Sequence, residues 1–190
     1  VELKRIDAKL FVADPDALRW EPFTAIFTRW LQENRDEWLD IAGYRHVPAG
    51  PGILLVGKNA HVSMDDRESR PGLVYSRREP LPGDNVERLT ALLVGALDFA
   101  RKMEEEPEAG VRFRTDLLEV VVNDRVDFPN TEEVFAELEP QLRQALKHLY
   151  GGAAVQLDRN TDPGARLTVR VRVSESRSVA QLLDDLAVRV

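Results

Sequence analysis

Residues 117–150 read LLEVVVNDRVDFPNTEEVFAELEPQLRQALKHLY. Leu117 to Val122 is an apolar, β-branched run of strand length. Asn123-Asp124-Arg125 has the composition of a turn, because Asn and Asp side chains satisfy nearby backbone amides. Asn130 and Thr131, with Glu133 in the first turn, then open a helix. Its apolar residues Val134, Leu138, Leu142, Leu146 and Leu149 recur at helical spacing, and Gly151-Gly152 stops it. Pro140 lies inside and is expected to kink or divide that helix, since it removes an amide donor.

The same outline stands upstream. Gly72 to Ser76 is a strand candidate, Asp84 and Glu87 form a capping box, and Leu89, Leu92, Leu93, Ala96, Ala100 and Met103 mark a long helix. Gly95 within it predicts a close crossing by another element. Blocks 72–105 and 117–150 therefore share the form expected of an internal β-β-α duplication, although their residues differ.

Outward from these blocks, Ile6, Ala8, Leu10 and Val12 alternate with Arg5, Asp7, Lys9 and Phe11, which predicts a strand with one buried face. Trp20 to Asn34 reads as an amphipathic helix, and 38–44, 53–56 and 60–64 as short strands. Val111–Arg114 and Leu117–Val122 read as a hairpin pair. Ala153–Leu157 and Arg166–Val173 are further strands, and Ser178 with Gln181 caps a last short helix. Paired strands between helices predict an α+β fold: a mainly antiparallel sheet packed against two long helices and two shorter ones. One domain over 1–190 is expected, with halves 1–106 and 107–190 sharing a core.

The chain has 190 residues, a formal net charge of −7 and no cysteine. Disulfides, thiolate nucleophiles and Cys-based zinc sites are excluded. Basic residues are scattered, which excludes a counterion-release surface for nucleic acid. No apolar run approaches the roughly 18 residues of a membrane span, and no signal-like segment opens the sequence. A cytoplasmic, membrane-free protein is expected, without a cofactor.

Chemistry-bearing motifs are few. Gly57-Lys58-Asn59 lacks the hydroxyl residue of a phosphate loop, and no G-x-S-x-G is present. His46, His61 and Asp65 are the candidate metal ligands, at a spacing that matches no zinc motif. The adjacent acids Asp65-Asp66 and Glu104 to Glu106 read as solvated. All three Trp fall between residues 20 and 38, with Phe23 and Phe27 among them. Too many rings for one subunit to hide predict a docking surface, built from Phe27, Arg29 and Trp30 with Arg45 and His46 in the following turn. Arg125 is the second place where an anionic ligand is expected.

Three segments carry a resemblance: Phe23-Thr24-Ala25-Ile26-Phe27-Thr28-Arg29-Trp30, His46-Val47-Pro48-Ala49-Gly50-Pro51-Gly52, and Asn123-Asp124-Arg125 with Pro129-Asn130-Thr131. They resemble a family of uncharacterised bacterial proteins of about this length. The resemblance implies a standalone bacterial domain and no particular activity. The sequence thus predicts a binding module, acting as a homodimer, for a partner protein or a small anionic molecule. The rival expectation is an enzyme with His46 as general acid or base, oriented by Asp40 or Asp65, and Arg125 holding substrate.

Overall fold

The computed structural model describes residues 2–47, 50 and 52–189. Pro48, Ala49 and Pro51 of the His46–Gly52 turn lie outside them. Among the described residues the strands are β1 (Ile6–Val12), β2 (Trp38–Gly43), β3 (Ile53–Gly57), β4 (Ala60–Asp65), β5 (Gly72–Arg77), β6 (Phe113–Val122), β7 (Val155–Arg159) and β8 (Leu167–Val173). The helices are α1 (Glu21–Glu33), α2 (Asn85–Glu104), α3 (Glu132–Tyr150) and α4 (Val179–Arg189). The strands form one antiparallel sheet in the order β2-β3-β4-β5-β1-β6-β8-β7. The fold is α+β, and the pairing of β1 with β6 runs the sheet through both halves of the chain. No helix of the described residues is long and apolar enough to cross a membrane.

Helix ends follow local chemistry. Asp84 accepts the Glu87 amide at 2.9 Å and Glu87 returns a carboxylate to the Asp84 amide at 2.8 Å. Ser178 and Gln181 do the same before α4. Each reciprocal pair satisfies amides that the first turn leaves without partners. A Cβ on Gly95 would stand 2.6 Å from the Tyr75 ring, so the helix surface is notched where β5 crosses beneath it.

Two expectations of local structure are corrected. The helix α3 runs through Pro140 as one element. Pro140 and Ala136 are exposed, so the carbonyl that loses its donor faces water. The anticipated hairpin at 111–122 is the single strand β6. Its register against β1 jumps from Leu118 opposite Leu10 to Phe113 opposite Val12. The polar residues between are a bulge, pinned where Thr115 donates to the Arg177 carbonyl at 2.6 Å and Tyr150 donates to the Thr115 carbonyl at 2.7 Å.

Topology decides which face of the sheet is covered. Strands β5 and β6 are each antiparallel to β1, hence parallel to one another, and α2 joins them across it. In the same way α3 joins β6 to β7 across β8. Successive crossovers in one direction, with the usual right-handed sense, put their helices on one face. The core lies there: Ile6, Ala8 and Leu10 of β1 join Leu89, Leu92 and Leu93 of α2 in one cluster with Leu142 and Leu146 of α3. Among the described residues no helix covers the opposite face of the central strands. Its residues Asp7, Lys9, Phe11 and Val74 are nevertheless buried, so β1 has two buried faces and not the single one its alternation predicts.

Candidate functional site: a charged cleft on the open sheet face

The uncovered face of β1, β4, β5, β6 and β8 forms the floor of a cleft of about 580 Å³. Side chains on that floor project at period two: Asp7, Lys9 and Phe11 from β1, Glu119 and Val121 from β6, Thr168 and Arg170 from β8. Two loops raise the walls. One is the turn Arg67–Ser69 after β4, in which the non-glycine residues Glu68 and Ser69 both take positive φ, 60° and 54°. Left-handed backbone costs such residues about 1–2 kcal/mol each and persists only where surrounding contacts hold it. Arg67 donates to Asp65 at 2.8 Å and Arg70 stacks 4.3 Å from the Phe11 ring, which anchors the turn at both ends.

The other wall is the loop 159–166. Asn130 ties it down, donating to the Asn160 carbonyl at 2.9 Å and the Asp162 carbonyl at 2.8 Å while accepting from Arg159 at 2.9 Å. Asn123 reaches the same loop by accepting from Arg166. Asp124 holds its own turn, its side chain accepting from the amides of Val126 and Asp127. The segments around Asn123 and Asn130, read from the sequence as a turn and a helix start, therefore also build the rim of the cleft.

Seven cations and five carboxylates line the cleft, inside a chain that is net acidic. Five of the cations hold a carboxylate. Lys9 lies 2.5 Å and Arg67 2.8 Å from Asp65. Arg170 and Arg70 converge on Glu119 at 2.7 and 3.6 Å, and Arg159 holds Glu132 at 3.0 Å. Arg125 and Arg166 have no carboxylate of the described residues within 4.0 Å. Burial draws the Arg166 guanidinium below its ordinary range, and neighbouring Arg67 and Arg125 push it the same way against Asp7. The lining thus holds two more cations than carboxylates, and two of its guanidiniums are left without a direct ion pair among the described residues.

Asp7 stands on the floor, 8% exposed. Burial raises its pKa, and the side chains of Asn123 and Ser76 together with the charges of Arg166 and Arg67 only partly oppose that. A carboxyl with raised pKa stabilises the fold below the ordinary value near 3.8, and that contribution is lost as pH rises through the raised one. Asp7→Asn is therefore expected to gain on the wild type as pH rises. The difference in melting temperature should be larger at about pH 7 than at about pH 3.5. An equal difference at both ends would show that Asp7 titrates as in the unfolded chain.

The predicted site residues fall in three places. Phe27 and Trp30 are 0% exposed, so the docking surface expected of the Trp-rich segment is corrected: it is core. The rings are hidden because α1 lies against β2 and β3 while Phe99 of α2 closes over them, its ring 6.0 Å from Trp30. Arg29 pairs with Glu106 at 2.5 Å and Glu108 at 2.6 Å. Arg45 stacks 4.8 Å from the Trp20 ring. His46 lies exposed in the turn after edge strand β2, and Asp40 on β2 accepts the Ile41 amide at 2.8 Å. His61 on β4 adjoins Arg78 at 2.9 Å, and its pKa is lowered by burial and by that charge. No group of three His, Asp or Glu side chains among the described residues is placed to hold a metal ion, so His46, His61 and Asp65 do not form one.

Asp65 and Arg125 do reach the cleft, without His46. Asp65 is also corrected from solvated to 1% exposed. Sequence reasoning missed Asp7, Lys9, Arg67, Arg166 and Arg170. The available signal was charge at period two on β1 and β8, which by itself looks like a solvated face. The sequence matches no protein-family model and no curated protein.

Proposed function

We propose that the protein is a binding module for a small anionic molecule, which lies in the open-face cleft with its acidic group on Arg125 and Arg166. One observation carries the reading: these two guanidiniums lack a carboxylate partner among the described residues, whereas the other five cations of the cleft have one. A guanidinium offers a planar fork of donors suited to a carboxylate or phosphate oxygen pair. The strained turn at Glu68 and Ser69, and the double anchoring of loop 159–166, supply a preformed rim. The rival reading of an enzyme centred on His46 gains no support, since no hydrogen bond or ion pair joins that residue to Asp40 or Asp65.

Calorimetric titration with a panel of small carboxylates, amino acids among them, and phosphate monoesters tests the proposal. Arg125 is exposed, so Arg125→Gln is expected to leave the fold intact. It is expected to weaken a binding panel member by about 10–100-fold, the value of one hydrogen bond to a charged group. Added salt should weaken wild-type binding in parallel. Equal affinity of the variant and the wild type, or no binding by any panel member, would overturn the reading.

A further inference from the structure

We propose that the ligand of this cleft is a zwitterion of the α-amino acid class, its carboxylate on Arg125 and Arg166 and its ammonium on Asp7. The inference rests on the anion-binding reading and adds the second charge. Two carboxylates of the cleft are both nearly inaccessible yet differently served. Asp65 has two cations, Lys9 at 2.5 Å and Arg67 at 2.8 Å. Asp7 has no cation of the described residues within 4.0 Å; its hydrogen-bond partners are the side chains of Asn123 and Ser76, both neutral, and the charges of Arg166 and Arg67 reach it only through space. A buried carboxylate without a direct ion pair is held at a cost that a bound cation reduces.

The spacing fits one small molecule. Asn123 accepts from Arg166 through Oδ1, which leaves its amide nitrogen for Asp7. Asp7 and Arg166 are therefore set one side-chain amide apart. A ligand whose ammonium and carboxylate sit on one carbon bridges that gap with a hydrogen bond at each end. A ligand with a second acidic group would meet Asp7 as a like charge, and a simple amine would meet the unpaired guanidiniums. At about 580 Å³ the cleft has room for the side chain of any amino acid beside the two charged groups.

The test uses the whole chain. Thermal shift and calorimetry are run against the twenty proteinogenic amino acids. The tightest binder is then compared with its analogue lacking the amino group and its analogue lacking the carboxylate. The expected result is at least tenfold weaker binding for each singly charged analogue. In Asp7→Asn, whose folding is checked by circular dichroism, the amino acid should fall to the affinity of its deaminated analogue, and that analogue should keep its own. A deaminated analogue that binds as tightly as the amino acid overturns the zwitterion and leaves the anion site standing. So does binding by simple carboxylates with none by amino acids. Failure of carboxylates, phosphate esters and amino acids alike overturns both.

Discussion

Trp30→Ala is expected to destabilise the protein by about 4 kcal/mol, measured as a lower denaturation midpoint at unchanged slope. The ring is 0% exposed and sits among Phe27, at 5.4 Å, and Phe99, at 6.0 Å. Truncation removes the transfer energy of the indole and leaves a cavity that packed helices do not close. It also takes a donor from Glu106, which accepts the indole N–H at 2.6 Å. Trp30→Phe separates the two effects. It keeps most of the packing and loses the hydrogen bond, at an expected cost of about 1–2 kcal/mol. A loss below about 1 kcal/mol for the alanine variant would mean the ring is not in the core.

The second large effect belongs to the floor of the cleft. Lys9→Met is expected to cost about 3 kcal/mol in urea denaturation. Lys9 is 7% exposed and Asp65 1%, and they meet at 2.5 Å. Removing the ammonium leaves a deeply buried carboxylate with Arg67 as its remaining cation. The double variant Lys9→Met/Asp65→Leu should recover more than half of the loss. It leaves only Arg67, whose side chain is 33% exposed and can turn to water. Equal destabilisation of the single and double variants would show that packing, and not stranded charge, sets the cost.

These two sites also mark what was legible in the sequence. The fold class follows from local signals. The capping pairs at Asp84–Glu87 and Ser178–Gln181 start helices where they are expected, and alternation finds β1 and β8. Alternation reports that a strand has two faces and says nothing of what covers the second. The polar face of β1 is buried by the turn at 67–70 and the loop at 159–166, which are distant in sequence. The same limit explains the Trp-rich helix. Its apolar stripe is plain, while the closure over it by Phe99 is a tertiary fact. Asp65 and Asp66 are adjacent in sequence yet one is buried and the other exposed, because β4 ends between them. Arg125 is legible because it belongs to the turn that follows a strand of the floor, whereas the turn that carries His46 follows an edge strand away from the cleft.

The position of β1 bears on how the protein is made. Asp7 pairs with Ser76 on one side and Val121 on the other. At about 10 residues per second, β5 leaves the ribosome roughly 7 s after β1 and β6 roughly 11 s after it. During synthesis the strand that will stand at the centre of the sheet waits with both edges bare. At that stage the charges of Asp7 and Lys9, later hidden in the cleft, oppose edge-to-edge joining of nascent chains.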